Sequence, residues 1–249
     1  MDQFALEGRV AVVTGGGQGI GEGIAKGFAR GGADVVVAAR RGDRVARVAD
    51  EITAAGGRAL AVPTDVTDRT ALVALADAAV ATFGRLDIWV NNAGGSPVQA
   101  PLRELSEADW DACFDVNLRA VWMASVIAAE RMTSGGCIIN VTSPAATRAV
   151  PGSGHYSAAK AGVNALTLTL SVELAPAVRV NGIAPGFVPT EVVMTALQTD
   201  VAALEKMAQA RIPLKRLGTP DDMAAAAIYL ASDAASWVTG QIITVAGGL

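Results

Sequence analysis

The chain has 249 residues, of which 51% are hydrophobic and 18% charged, with a formal net charge of −4 from 20 basic and 24 acidic side chains. That length and apolar content suit one large α/β domain, and no Pro/Ser-rich linker, charge block or composition shift divides it. No basic cluster stands out, which argues against a nucleic-acid partner, and two isolated cysteines with one histidine make neither a disulfide framework nor a zinc site, so no metal is expected.

The N-terminal MDQFALEGRVAVVTGG lacks a basic leader with an apolar core and cleavage site, and no apolar run reaches the roughly 18 residues that a membrane span requires. A cytoplasmic protein with no membrane partner is the expectation. Val10 to Val13 is a short β-branched run entering Thr14-Gly15-Gly16-Gly17-Gln18-Gly19-Ile20-Gly21. After it, Ile20, Ile24, Gly27 and Phe28 recur at helical spacing. Glycines between a strand and a helix let the backbone approach a pyrophosphate, and the free N–H groups and dipole of the helix favour its charge. A tight turn that needs glycine only for its backbone angles would look the same, but the second strand–helix unit that follows favours a dinucleotide site.

That second unit is Asp34 to Ala39, a fully apolar strand ending in Arg40-Arg41, followed by a helix through Asp43 to Ala55. In dinucleotide folds an acidic residue at this strand end accepts from the ribose 2′-hydroxyl. Here that place holds Ala39, and the adjacent arginines are suited to a 2′-phosphate. NADP(H) is therefore expected over NAD(H), with Asp43 close enough to keep NAD(H) open. Arg58 to Val62 reads as a third strand closing at Asp65-Val66, a pair suited to the adenine edge and face. Asp68 to Phe83 reads as a helix. Leu86 to Val90 is a fourth strand ending in Asn91-Asn92-Ala93-Gly94-Gly95. Alternating strands and helices imply a Rossmann-type, doubly wound parallel sheet of about seven strands with helices on both faces, and ligands at the carboxyl ends of the strands.

Ser106 and Asp109 form a capping box opening a helix with Trp110, Phe114, Leu118, Val121 and Trp122 expected inward, interrupted by Asn117. Cys113 falls in this helix and Cys137 at the start of the apolar run ending at Val141; both are expected to be buried. The stretch from Ser143 to Lys160 carries a hydroxyl, a phenol and an ammonium. Tyr156 and Lys160, four apart in an Ala-rich run, share a helix face, where the cation is expected to lower the phenol pKa and make Tyr156 a general acid/base. Ser143 would hold a carbonyl oxygen at the same mouth. A plain helix-face pair and a capping serine would show the same pattern.

Thr14-Gly15-x-x-x-Gly19-x-Gly21, Asp65-Val66, Asn91-Asn92-Ala93-Gly94, Asn117, Ser143, Tyr156-x-x-x-Lys160, Asn181 and Pro185-Gly186 with Thr190 together resemble the short-chain dehydrogenase/reductase family across almost the whole chain. The resemblance implies that Asn117, Ser143, Tyr156 and Lys160 form a catalytic tetrad. Ser143 would orient the substrate oxygen and Tyr156 would pass the proton. Lys160 would hold the nicotinamide ribose and depress the phenol pKa, and Asn117 would anchor a water that leads protons to solvent. It also implies a nucleotide held by Gly15, Gly17, Gln18, Gly19, Ile20 and Gly21, by Arg40, Arg41, Asp65 and Val66, by Asn92, Ala93 and Gly94, and by Pro185, Gly186, Val188 and Thr190. A single domain over 1–249, a substrate lid around 188–214 and a homotetramer follow from it too.

Four departures stand out: Ala39 for the acidic residue, a Glu173–Asn181 segment shorter by one residue and without its glycine, Ala246 for a frequent acid, and Pro144 after Ser143. The lid residues Met194, Leu197, Leu204 and Met207, with Gly95, Ser96, Pro97, Val98 and the stretch from Ala145 to His155, are expected to line the pocket; Arg148 and Arg211 remain open as carboxylate clamps. His155 is expected beside the site and not in it. A small-molecule ketone or secondary alcohol, neutral or hydrophobic, is the expected substrate. The alternatives are a 3-oxoacyl carrier-protein reductase, which needs a basic patch such as Arg103, Arg119, Arg131 and Arg148, and a nucleotide sensor without turnover.

Overall fold

The computed structural model describes residues 3–96, 98–197 and 199–249. Pro97 lies outside the described residues, as does the side chain of Leu197, so the pocket-lining expectation for both is not taken further. The elements run β1 (Val10–Thr14), α1 (Gly19–Arg30), β2 (Asp34–Ala39), α2 (Gly42–Ala54), β3 (Ala59–Pro63), α3 (Arg69–Phe83), β4 (Ile88–Asn91) and α4 (Glu107–Phe114). They continue with α5 (Ala120–Arg131), β5 (Gly136–Val141), α6 (Gly154–Glu173), β6 (Val178–Pro185), α7 (Glu191–Leu197), α8 (Val201–Arg211), α9 (Pro220–Ala231) and β7 (Ile242–Val245).

All seven strands are parallel, in the order β3-β2-β1-β4-β5-β6-β7. The apolar strands are buried on both faces, as a helix-covered parallel sheet demands. Successive residues alternate between two cores. Val13, Val35, Val37 and Ile139 face Ile24 and Phe28 of α1, Val48 of α2 and Ala227 of α9. Val12, Val36, Trp89 and Ile138 face Leu72 and Leu75 of α3 and Met123 and Ile127 of α5. The chain moves outward through β2 and β3, then returns to β4 on the other side of β1. This leaves a crevice between the carboxyl ends of β1 and β4, where ligands bind in such sheets.

Local chemistry sets the helix ends. Asp68 caps α3 by accepting from Thr70 N at 2.8 Å, and Gly84 closes that helix with φ +83°. Thr219 and Asp222 form a reciprocal capping box on α9, with Pro220 at its first position. α6, which lacks the family's terminal glycine, stops instead at Leu174, whose N–H bonds to Leu170 O.

Between α4 and α5, Asp115–Arg119 forms one π-turn centred on Asn117, so the helix is continuous over Glu107–Arg131. This corrects the expected inward stripe. An i→i+5 turn inserts a residue and rotates everything beyond it. Beyond the turn Val121 is buried but Trp122 is 47% exposed; Trp110, which precedes the turn, is 38% exposed and stacks on Phe114 at 4.5 Å. The 25-residue helix is also long and apolar enough to cross a bilayer by length and composition alone; half of its most apolar window is buried in the domain. The sequence reading saw no such run.

A chain of buried side chains stitches the centre of the sheet. Trp89 Nε1 donates to Asn91 Oδ1 (2.8 Å), Asn91 Nδ2 donates to Asn140 Oδ1 (2.8 Å) and Ser125 Oγ (3.0 Å), and Asn140 Nδ2 donates to Thr167 Oγ1 (2.9 Å). It joins β4, β5, α5 and α6 without leaving a member unpaired, and so specifies one packing of these four elements. Replacing Asn91 by Ala strands the indole N–H and the Asn140 carbonyl in the core, so the variant should lose roughly 2–4 kcal/mol of stability in urea unfolding. A loss under about 1 kcal/mol would remove the network from this role.

Candidate active site

The β1–α1 loop and the loop after β4 are built as one unit. Thr14 Oγ1 donates to Val90 O (3.0 Å) and accepts from the backbone N–H groups of Asn92 (3.0 Å) and Ala93 (3.2 Å). Asn92 Nδ2 donates to Thr14 O (2.9 Å) and Gly15 O (3.2 Å), so this amide holds the loops together. A Cβ on Gly15 would lie 2.7 Å from Asn92 Nδ2, and one on Gly21 would lie 2.3 Å from Gly15 O. Both glycines are therefore demanded by close approach. The N-cap of α1, Gln18, makes no side-chain cap bond, so the first turn offers its N–H groups to an anion.

Four arginines surround this loop. Arg41 and Arg44 both donate to Gln18 Oε1. Arg47 reaches Gly17 O (3.2 Å) and is held by Glu22 and Glu51, each at 2.7 Å. Arg40 is exposed and close enough to Asp65 to help lower its carboxyl pKa, although the larger causes are the Thr67 N–H and hydroxyl, which bond Asp65 at 2.9 and 2.8 Å. Asp65 thus closes its own turn, beside the nearly buried Val66. Sequence reasoning named Arg40 and Arg41 and missed Arg44, whose signal was its place one turn into α2.

The proposed chemistry converges beyond β4 and β5. α6 places Tyr156 and Lys160 on one face, with the Lys160 Nζ 5.7 Å from the Tyr156 ring centroid. Ser143 follows β5, accepts from Ala145 N (3.1 Å) as the cap of a short 3₁₀ turn that begins with Pro144, and is close enough to Tyr156 to hydrogen-bond the phenol. The same serine thus caps the 3₁₀ turn and reaches the phenol. Asn117 brings the π-turn to the same place: its Nδ2 donates to Gly95 O and Cys113 O, both 2.9 Å, and its Oδ1 accepts from Gly95 N at 2.9 Å. Gly94 lies between these groups, since a Cβ there would sit 2.6 Å from Asn117 Oδ1 and 3.5 Å from Lys160 Nζ.

One expectation changes. Lys160 was expected to lower the phenol pKa, but burial dominates and pushes Tyr156 up to about 12, with Ser143 pulling the other way. Burial also lowers Lys160 to about 8, and its ammonium donates to Val141 O at 2.8 Å. Asn117 spends its side chain on the backbone, which makes it a brace for the Gly95 loop. Cys113, which sequence reading took as core packing, lies beside this group, with Sγ 3.5 Å from Asn117 Nδ2 and burial pushing its thiol pKa up. His155 is fully buried, its Nε2 2.8 Å from Ser96 Oγ, and ties the β4 loop to the start of α6.

The far wall comes from β6. Gly186 follows Pro185 and lies so close to the C-terminal segment that a Cβ would meet Ala246 Cα at 2.7 Å. Val188 is buried, and Thr190 N bonds to Val188 O at 2.7 Å, turning the chain into α7. The Thr190 methyl would be 2.9 Å from a Cβ on Gly19, so the segment leading into α7 begins directly over the glycine loop. In α8, Leu204 and Ala208 are buried and hold that helix on the body, whereas Met194 and Met207 are half-buried.

These loops match known proteins over the full chain. Residues 15–249 match a family model described as enoyl-(acyl carrier protein) reductase. The chain is 40% identical over 253 residues to 7α-hydroxysteroid dehydrogenase of Escherichia coli strain K12, covering 99% of this chain and 96% of the relative. It is 44% identical over 245 residues to cis-4-hydroxycyclohexanecarboxylate dehydrogenase of Sinomonas cyclohexanicum, covering 96% of each. The fold superposes with TM-score 0.93 and 39% identity on a solved 7α-hydroxysteroid dehydrogenase complexed with NADH and 7-oxoglycochenodeoxycholic acid, covering 99% of this chain and 96% of that one. With the parallel sheet, the glycine loop and the Tyr156–Lys160 face already in place, these matches establish that the chain belongs to the short-chain dehydrogenase/reductase family.

Proposed function

We propose that this member of the family interconverts a ketone and a secondary alcohol on a largely apolar, ring-bearing skeleton, with NADP(H) preferred over NAD(H). The observation that carries the reading is that Asn117 and Lys160 meet at Gly94 while Tyr156 shares the Lys160 face and Ser143 reaches its phenol, beside a loop whose glycines are demanded by close approach. The uncapped α1 N-terminus, with Gly15, Gly17, Gln18, Gly19, Ile20 and Gly21, fits a pyrophosphate. Arg40 and Arg41 would meet the 2′-phosphate, Asp65 and Val66 the adenine, and Ala93, Gly94, Lys160, Pro185, Gly186, Val188 and Thr190 the nicotinamide half, with Asn92 bracing the loop between them. When bound, the nicotinamide supplies or takes the hydride.

The remaining work is positional and protonic. Tyr156 keeps its proton at neutral pH and is set to give it from Oη to a carbonyl oxygen, which suits the reducing direction. Ser143 already accepts from Ala145 N, so its own hydrogen is available to the same oxygen. Lys160 remains mostly charged at pH 7 and offsets the phenolate that forms as the proton leaves. Asn117 fixes Gly95, and with it the backbone facing the substrate.

The relatives act on a hydroxysteroid and a hydroxycyclohexanecarboxylate, which supports the ring-bearing skeleton. The solved relative holds NADH, so nucleotide choice rests on this chain's own β2 end, where Ala39 offers no carboxylate and arginines follow. A carrier-protein substrate is less favoured, because Arg103, Arg119 and Arg131 each already pair with a carboxylate of this chain. A pure sensor would have no use for a buried lysine beside a phenol. We further propose a cytoplasmic homotetramer, supported by the apolar side chains it would cover: Trp110, Trp122, Leu168, Val172 and Trp237, the last 98% exposed.

The direct test is titration with NADPH and NADH followed by a panel of alicyclic ketones. NADPH should bind more tightly and at least one ketone should be reduced, whereas failure to bind either nucleotide would end the reading. Tyr156→Phe should lose at least about 100-fold in turnover while binding NADPH within about twofold of the wild type. Light scattering on a sizing column should give four times the chain mass, and a monomer would refute the assembly.

Lys160 yields a stability prediction with a definite sign. Burial pushes it down to about 8 in the fold from the ordinary lysine value of about 10.5, so between these values the unfolded chain binds more protons and rising pH stabilises the fold. Below pH 8 the burial cost is in full force, on the order of 3 kcal/mol. Lys160→Met should therefore be inactive yet gain stability relative to the wild type at pH 7, less whatever the unpaired Val141 carbonyl costs. That advantage should shrink between pH 8 and 10.5 in urea melts; a difference constant with pH would contradict the buried charge.

A further inference from the structure

The arginines beside the glycine loop already hold an anion, and it belongs to the chain itself. Glu191, the first residue of α7, reaches back across the mouth of the nucleotide crevice and places Oε2 2.6 Å from an Arg44 terminal nitrogen and 3.9 Å from one of Arg41. Both arginines also donate to Gln18 Oε1, so Gln18 and Glu191 together fix the two guanidinium groups at the N-cap of α1. Arg41 is in turn the N-cap of α2, two residues past the end of β2, the strand whose end faces the ribose 2′ position in dinucleotide folds. A carboxylate and a phosphate compete for the same guanidinium donors.

We propose that Glu191 is a built-in competitor for the 2′-phosphate of the nucleotide, and that Arg44 shares with Arg41 the recognition of that phosphate. The inference rests on the NADP(H) reading and adds two residues to it. Its consequence is a coupling: a nucleotide with a 2′-phosphate takes Arg44 from Glu191 and so releases the first turn of the lid, whereas one with a free 2′-hydroxyl leaves the latch in place. The two other cationic side chains nearby are not equivalent. Arg47 is held by two carboxylates and Arg40 faces Asp65. Glu191 is 55%, Arg44 30% and Arg41 50% exposed, so the pair is solvent-screened and the effect is modest.

The experiment uses the full chain with 2′,5′-ADP and 5′-ADP as probes, measured by calorimetry. Glu191→Gln should tighten 2′,5′-ADP by about two- to fivefold, with the gain fading at high salt, and leave 5′-ADP unchanged. Arg44→Ala should weaken 2′,5′-ADP and not 5′-ADP. In the wild type, saturating 2′,5′-ADP should speed tryptic cleavage after Lys206 and Arg211 of α8 toward the Glu191→Gln rate, and 5′-ADP should not. If the wild type prefers 2′,5′-ADP but Glu191→Gln changes nothing, the competitor role fails and the NADP(H) reading survives. If the wild type shows no preference for 2′,5′-ADP, the NADP(H) reading itself fails. If Glu191→Gln weakens 5′-ADP, the carboxylate serves the ribose hydroxyls and the proposal is overturned.

Discussion

The site depends on one expensive choice, an ammonium group buried where water cannot reach it. Lys160 is 3% exposed and meets the carbonyl of Val141, the last residue of β5. A lone amine in such a place loses proton affinity, and burial moves Tyr156 in the direction that keeps it neutral. The two shifts run in opposite directions, leaving an acid that holds its proton beside a cation that is close to releasing one. Such divergence from ordinary values is what the proposed proton transfer calls for. Everything near them serves to keep that amine in position.

The supporting structure is polar but saturated. Trp89, Asn91, Asn140, Ser125 and Thr167 form a buried chain under the site, while Thr14 and Asn92 lock the glycine loop to the end of β4. Because no member of either set is left unpaired, the strands cannot slide relative to one another without stranding a donor. Rigid strand ends on one side of the crevice then face a more lightly held wall, made by the turn at Thr190 and the helices α7 and α8. The proposed catalytic groups sit on the first and the proposed substrate wall on the second, a division that allows one chemistry to serve many substrates.

The π-turn at Asp115–Arg119 links the site to the outer surface. It turns Asn117 toward Gly95 and, by the same rotation, sends Trp122 outward. A periodicity count assumes a constant 3.6 residues per turn, so it put Trp122 in one inward stripe with Trp110, Phe114, Leu118 and Val121, and for Trp122 it went wrong where the helix changes its winding. Asn117 itself was noticed as an interruption, which was the only local sign of that change.

Much of the architecture is local and therefore readable from the chain: the apolar run Asp34–Ala39, the glycines between β1 and α1, the caps at Asp68 and Ser106, and the four-residue interval between Tyr156 and Lys160 all act through near neighbours. Residue identity at these positions settles turn, strand or helix by sterics and hydrogen bonding within a few residues. What the amino acids alone could not decide was the balance between distant groups. Whether Lys160 lowers the phenol pKa or is itself lowered depends on burial supplied by elements far apart in the chain. Whether Arg44 faces solvent or Glu191 depends on α7 folding back over α2, residues separated by 147 positions. Electrostatic outcomes turn on distance and dielectric, and both are properties of the folded state.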